Sequence, residues 1–484
     1  MKKQGIILLV IILLLLASCT GVVVAQVHKT VNGKENETPL ETVRTFAEWT
    51  TNKVIEDVPA MITEQGKIGE VCTDGGSCVF VDINGSTVKD YKNYLGLLEQ
   101  EGYKKHVDNG EEGLEGSVLT SVYTKDDLTV TVMHMKKLEK TYVAAEKIEL
   151  SEHLFYSEEY IADNKAGAKT SLHMLELQFS GNCFILQLKN GHFIVMDGGN
   201  TQDAEYLLNY LESLTPKGEK PVVEGWFISH NHIDHIGIFK EFVSKPGYLD
   251  RILVDGIYMD VVSSSIATEA GDKAMAGLIM SIRTATKDLK TSTGESTPVY
   301  RPHAGQTYYF NDIKLDVMQT MVQVPSENYY HGWTGNYNEK SVWLMCHIDG
   351  QKFLHAGDAD FGAMKTIMAT YNKECFEMDI MAVQHHGINV HNDFSDFIKV
   401  KTLLYPYFTT LGHFKADASW GGSFQVSVDR NEYLHEYVEE ALSYGDGGKV
   451  LTFPYTVGKY KNVPLRPDRV KFEDVQDSQY YIPF

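Results

Sequence analysis

The sequence predicts an α/β protein with a smaller α+β unit on its N-terminal side. From about Leu172 onward, short apolar runs of strand length alternate with stretches whose apolar residues recur at helical spacing. Several of those runs end in Asp or His. Before Leu150 the pattern is instead one of hairpins around a single helix. The chain has 484 residues, enough for more than one domain. Its 43% hydrophobic and 23% charged content excludes a largely disordered or fibrous protein. With 44 basic against 65 acidic residues the net charge is −21. That balance favours solubility and disfavours a broad electrostatic footprint for DNA or anionic membranes.

Residues 1–19 read as an export signal: Lys2 and Lys3 precede an apolar run from Ile6 to Leu16, and Ala17 and Ser18 lead into Cys19. Leu16-Ala17-Ser18-Cys19 resembles the bacterial lipoprotein box. That resemblance implies cleavage before Cys19, lipid attachment to it, and an extracytoplasmic protein anchored to the bacterial membrane. A plain secretory signal cut after Ala25 is the alternative. Residues 20–41 are polar, without a sustained apolar period, and read as a flexible tether. Export permits disulfides, and Cys72 and Cys78 enclose Thr-Asp-Gly-Gly-Ser, a turn-forming loop that would bring their sulfurs together. Cys183, Cys346 and Cys375 lie singly in apolar surroundings and read as buried free thiols.

Residues 42–150 form the α+β accessory unit. Its predicted elements are a strand over Cys78–Ile83 and a helix from Thr87 with Tyr91, Tyr94, Leu95 and Leu98 inward. Thr87 and Asp90 have capping-box spacing, with Asp in place of the usual Glu or Gln. Val118–Tyr123 and Leu128–Met135 flank Lys-Asp-Asp as a hairpin, and the alternation Thr129-Val130-Thr131-Val132 predicts one buried face. This unit shows no chemical constellation.

The larger unit spans 165–460, with 461–484 as a C-terminal extension. Phe184–Leu188 and His192–Met196 are strands around the turn signal Asn190-Gly191, and they deliver Asp197-Gly198-Gly199 to a loop. Asn200–Leu214 is a helix with Leu207, Leu208, Leu211 and Leu214 inward, and Val222–Ile228 is the next strand. It runs directly into Ser229-His230-Asn231-His232-Ile233-Asp234-His235, three imidazoles and a carboxylate within six residues. Imidazole and carboxylate are favoured ligands for zinc and related ions. A strand-end loop turns His230 and His232 toward one point and Asp234 and His235 toward another. Phe353–Gly357 is a strand ending at Asp358, after the paired strands Val342–Ile348 and Lys352–Leu354. Met378–Gln384 is a further strand ending in His385-His386-Gly387, with His385 the favoured ligand and His386 the competing one.

The stretch His230-x-His232-x-Asp234-His235 resembles the His-x-His-x-Asp-His motif of the metallo-β-lactamase superfamily. The resemblance covers about Leu172 to Val457 and implies an αββα sandwich holding one or two divalent metals, Zn²⁺ foremost with Mn²⁺ as the alternative. It casts Asp197 as a group orienting the metal loop from behind and Asp358 as the carboxylate bridging two metals. Many members supply another His between the first cluster and the Gly-Asp strand. No clear equivalent appears here, and His303, His331 and His347 are the candidates. The details are most similar to the metallo-hydrolase domain of bacterial DNA-uptake competence proteins, through Asn338-Glu339-Lys340-Ser341 before a strand and His385-His386-Gly387 after the next. Asn431 to His435, ahead of a helix ending near Ser443, is similar to that branch's Asn-x-x-Gly-His element and makes His435 a candidate substrate contact.

These readings imply a metal-dependent hydrolase in which activated water attacks a phosphodiester or related ester outside the membrane, with Asp234 orienting the water and handling its proton. A lactone, thioester or β-lactam substrate is the alternative within enzymes. A non-catalytic surface binding protein is the alternative outside them. DNA is disfavoured as substrate, because a nuclease needs Lys and Arg along the phosphate track. Lys136-Lys137 and Lys459–Lys461 read as solvated faces. Tyr329, Tyr330, Trp333, Tyr337 and Trp420 are aromatic candidates for lining a cleft.

Overall fold

A computed structural model describes residues 57–63, 67–74, 78–178, 181–260, 273–321, 337–387, 392–406, 437–445 and 447–466. The expected signal and tether, and His331, His435, Tyr329, Tyr330, Trp333 and Trp420, lie outside these residues, as do the side chains of Cys72 and Cys78. Among the described residues no helix is long and apolar enough to cross a membrane.

The first unit is a six-stranded antiparallel sheet crossed by one helix. Its elements are β1 (Lys67–Asp74), β2 (Cys78–Asn84), α1 (Val88–Gln100), β3 (Lys104–Asp108), β4 (Val118–Lys125), β5 (Leu128–Met135) and β6 (Lys140–Glu146), in the order β1-β2-β6-β5-β4-β3. Thr87 caps α1 as its spacing predicted: its hydroxyl accepts from the Asp90 N–H, and the Asp90 carboxylate accepts from the Thr87 N–H at 2.8 Å. Tyr91, Tyr94 and Leu98 bury against the sheet beside Val130 and Val132, while Leu95 stays half-buried. The β4–β5 turn is one residue tighter than expected, since Lys125 pairs with Leu128 across Asp126-Asp127.

The alternation in β5 predicted one buried face, and both are buried. Val130 and Val132 lie under α1, whereas Met133 and Met135 on the opposite face enter a core shared with the larger unit. The sheet is therefore a layer between two cores. At its edge, Thr120 Oγ1 donates to the Ala304 carbonyl at 2.8 Å and Asn109 Nδ2 to the Gly305 carbonyl at 3.0 Å. Glu146 accepts from the half-buried Arg301 and approaches His303, each at 2.7 Å.

The larger unit opens with β7 (Ser171–Met174), β8 (Cys183–Gln187), β9 (Phe193–Asp197), α2 (Ala204–Leu214), β10 (Val222–Ile228), α3 (Ile233–Ser244), β11 (Leu253–Val254), β12 (Ile257–Met259), α4 (Lys273–Ala285) and β13 (Val299–Tyr300). A second sheet takes β14 (Thr307–Phe310), β15 (Ile313–Gln319), β16 (Trp343–Ile348), β17 (Gln351–His355), β18 (Glu377–Ala382), β19 (Lys399–Tyr405) and β20 (Glu440–Ser443) in chain order, with α5 (Phe361–Thr370) and α6 (Asn392–Phe397) between its strands. The chain then returns to the first sheet as β21 (Lys449–Thr452) and β22 (Lys461–Asn462), giving β13-β12-β10-β9-β8-β7-β21-β22 with β11 beside β10.

The two sheets pack face to face, as ring contacts between Phe184 and Phe353 and between Phe227 and Phe310 show. On the outer side of the first sheet, Trp226 meets Phe239 and Phe242 of α3. On the outer side of the second, Trp343 meets Phe394 of α6, and Leu354 shares a core with Met364 and Ile367 of α5. This is the αββα sandwich expected from the sequence.

Three expectations are corrected. Residues 440–443 form β20, pairing in parallel with β19, not the end of a helix. The helix expected from Asn200 begins as a 3-10 turn over Thr201–Asp203 and becomes α-helical at Ala204. The segment from 461 begins inside the fold: β22 extends the first sheet, and the buried Arg466 guanidinium pairs with the buried Asp203 carboxylate and lies over the Tyr206 ring. Breaking a buried ion pair from one side leaves a charge without its partner, so Arg466→Ala should lower stability by about 3–5 kcal/mol. Urea denaturation checks this, and an unchanged midpoint would remove the pair from the account of stability.

Candidate metal centre

β10 is apolar because it is buried on both faces, and it ends where the chain must leave the sandwich. Ser229 to His232 make the exit loop, and α3 starts at Ile233 with His232 at its N-cap. A β-carbon at Gly237 would meet the Gly199 oxygen at 2.7 Å, so glycine there lets α3 press against the Asp197-Gly198-Gly199 loop. Asp197 closes β9 in the left-handed region, φ 59°. Its Oδ1 accepts from the Ser229 N–H at 2.7 Å, and its Oδ2 accepts from Ser229 Oγ and His235 Nδ1, both at 2.8 Å. The carboxylate holds the loop from beneath.

Two sets of ligand atoms converge above it. Asp234, His235, Asp358 and His386 offer atoms all within 4.8 Å of one another, and so do His230, His232 and Asp358. Asp358, at the end of the β17 segment, belongs to both. His235 Nε2 lies 3.0 Å from Asp358 Oδ1 and 3.6 Å from Asp234 Oδ2. His386 Nε2 lies 3.0 Å from Asp234 Oδ2 and 3.3 Å from Asp358 Oδ2. The rear nitrogens are occupied: His235 Nδ1 by Asp197, His386 Nδ1 by the Pro406 carbonyl at 3.0 Å, and His230 Nδ1 by Ser229 Oγ at 3.1 Å. A ring donating from Nδ1 turns the lone pair of Nε2 to the front, as a metal ligand requires.

The donor set fits a divalent cation. His235 Nε2 and Asp358 Oδ2 are buried without a hydrogen bond of proper geometry, despite their close neighbours. Atoms that crowd one point without bonding each other are arranged as ligands. Burial alone would neutralise the site, but the charges oppose it. Burial lowers His235, yet the carboxylates of Asp358, Asp234 and Asp197 outweigh it and hold its pKa well above the ordinary value. His386 is likewise carried up to about 9 against burial by Asp358 and Asp234. Burial raises Asp234, but His235 and His386 bring it down to about 2, and Asp358 falls well below the usual carboxylate range for the same reason. His230, which faces mainly burial and the neighbouring imidazoles, is driven well below 6.5. Three buried carboxylates thus call for positive charge where the ligand atoms meet.

His385 was the favoured ligand on sequence, and the structure instead brings His386 into the four-residue set. His385 stands at the rim, with Nε2 3.9 Å from Asp358 Oδ2 and 3.3 Å from Asn338 Nδ2, and Nδ1 3.4 Å from Asp360. Successive left-handed residues at 385 and 386, φ 47° and 54°, turn the second ring inward. His303 is spoken for by Glu146, and His347 Nε2 lies 2.8 Å from Asp316, so neither reaches the centre. Tyr337 packs edge-on to His232, 5.6 Å between centroids. Sequence reasoning attached no role to Ser229, Ser341 or Asn182. Ser341 had a signal, since it closes the Asn338-Glu339-Lys340-Ser341 stretch. It lies 3.4 Å from His230 Nδ1 and accepts from the Asp358 N–H at 3.2 Å.

No protein-family model matches the chain, and no curated protein matches it either. Among solved structures, it is similar to the metallo-beta-lactamase fold protein YhfI from Bacillus subtilis at a TM-score of 0.32 and 10% identity, over 56% of this chain and 96% of that one. It is also similar to Tm1679, described as a metal-dependent hydrolase of the beta-lactamase superfamily, at a TM-score of 0.30 and 11% identity, over 57% of this chain and 95% of that one.

The geometry separates the paired histidines by experiment. His386→Ala should lower the tightly bound metal per chain, measured by elemental analysis after dialysis, while His385→Ala should leave it at the wild-type value. Asp197→Asn should weaken metal affinity about 10–100-fold in chelator competition, because the amide keeps one acceptor oxygen and turns an NH2 donor toward either the Ser229 N–H or the His235 ring.

Proposed function

We propose that the chain is a metal-dependent hydrolase of the metallo-β-lactamase superfamily, acting on a phosphodiester or related ester. The observation that carries this reading is the sharing of Asp358 between two convergent ligand sets at the ends of β10, β17 and β18. When bound, divalent metal supplies Lewis acidity toward a phosphoryl or carbonyl oxygen and brings the pKa of water from 15.7 toward about 7. Zinc is the ion proposed on donor chemistry, with manganese as the alternative.

The chain's own groups do the rest. Asp234 sits in the first turn of α3 with Oδ2 held by His386, so its carboxylate is fixed in direction and stays ionised at neutral pH. It is the group proposed to orient the attacking water and accept its proton. His230 and His232 join Asp358 in the three-residue set, to which no further histidine belongs among the described residues. Asn338 and Asp360 flank the His385 ring beside the centre. The phosphodiester preference rests on the likeness to the competence-protein branch and on the suitability of a bridged pair for in-line displacement. The acidic balance keeps long nucleic acid out of the proposal. Export and a lipid anchor at Cys19 belong to the same proposal and place the substrate outside the membrane.

Hydrolysis of bis-p-nitrophenyl phosphate by zinc- or manganese-loaded protein tests it. Asp234→Asn should lower kcat by about 10²–10⁴-fold, the range for a positioned proton acceptor. Wild-type protein that binds metal but leaves the phosphodiester intact while cleaving a lactone would move the assignment to carbonyl substrates.

A further inference from the structure

We propose that Asn182 is a positioning residue for Asp358, the carboxylate the two ligand sets share; this rests on the metal-centre reading above. Asn182 lies just ahead of β8 and is 1% exposed. Its main chain joins the Gly199 loop to the first turn of α3. The Asn182 N–H donates to the Asp234 carbonyl at 3.1 Å, and its carbonyl accepts from the Gly199 N–H at 2.8 Å. Gly181 makes that approach feasible, since a β-carbon there would stand 2.8 Å from the same Asp234 oxygen. The side chain reaches the loop after β17: Nδ2 lies 3.3 Å from Asp358 Oδ1 and 3.5 Å from His235 Nδ1. One residue thereby contacts the loops after β9 and β17 and the first turn of α3.

The orientation of the amide follows from charge. With its oxygen toward Asp358 it would set two acceptors against each other, so Nδ2 is the atom that faces the carboxylate. Asn182 Oδ1 is then buried without a hydrogen-bond partner among the described residues. A buried acceptor left in that state is a penalty, and leucine, similar in shape, would fill the space without it. The amide is therefore placed for what it does to Asp358. A donor on Oδ1 stops the carboxylate from turning and leaves Oδ2, which has no hydrogen bond of its own, directed at the ligand sets. The amide serves Asp358 as Asp197 serves His235.

The test uses chelator-stripped full-length protein. Zn²⁺ affinity is measured by chelator competition, the Co²⁺ absorption spectrum is recorded, and the unfolding midpoint of the metal-free form is taken for wild type, Asn182→Leu and Asn182→Ala. Both variants keep the two main-chain bonds and lose only the amide. The expected result is Zn²⁺ affinity about 10–100-fold weaker with an altered Co²⁺ spectrum, while the metal-free midpoint of Asn182→Leu is no lower than wild type. Wild-type affinity and spectrum in either folded variant overturn the proposal, as does an affinity loss that only tracks a lower midpoint. Wild type that takes up no metal overturns the centre itself and the proposal with it. Wild type that binds metal yet hydrolyses nothing removes the hydrolase reading alone, and the variant comparison still decides the role of Asn182.

Discussion

The hydrogen bonds that Ser229 and His235 give to the buried Asp197 carboxylate are the constraint from which the centre is built. A carboxylate taken out of water must be met by donors, and the three hydrogen bonds it receives come from Ser229, in the loop that leaves β10, and from His235, in the first turn of α3. Meeting that need fixes the loop's path. It also fixes the tautomer of His235, so that one ring satisfies a buried charge behind and presents a lone pair in front. Ser229 passes the effect on, because the hydroxyl bonded to Asp197 also touches His230 Nδ1. The contact of Gly237 with the Gly199 loop holds α3 close enough for Asp234 to join the same point.

Charge balance then explains the company these groups keep. Asp197, Asp234 and Asp358 are all buried, and without cations the neighbouring imidazoles hold the positive charge. Protons and divalent metal compete for one place, which couples metal affinity to pH. The backbone contributes as well. Left-handed residues at 385 and 386 each cost roughly 1–3 kcal/mol in strain, and such conformations persist where surrounding structure enforces them. Here the His385 N–H donates to the Gly357 carbonyl, and His386 is pinned behind by Pro406 and in front by Asp234.

The small unit is tied to the same end of the sandwich. Asp260 directly follows β12, the strand parallel to β10, and accepts from Arg301 just beyond β13. Arg301 in turn holds Glu146 at the end of β6. Strand ends that gather the candidate ligands in the middle of the sheet thus carry an inter-unit ion pair at its edge. Together with the apolar face of β5, that cluster makes the accessory sheet part of one packed body, its attachment lying close to the metal loop.

The sequence by itself determined the strand–helix alternation of the larger unit and the capped helix of the smaller one, and it singled out His230, His232, Asp234, His235 and Asp358 as candidate ligands. These are local signals: periodicity, capping spacing, and a density of imidazole and carboxylate that a loop cannot bury without a purpose. Tertiary structure alone decided between His385 and His386, because two left-handed residues in a row set which ring turns inward, and side-chain identity does not encode that. It also decided the second buried face of β5, the strand at 440–443, the pairing of Arg466 with Asp203, and the approach of Asn182 to Asp358. Each depends on residues far apart in the chain meeting in space. A face looks exposed in sequence until another layer covers it, and an isolated Asn, Arg or short apolar run gains its meaning only from the partner the fold places beside it.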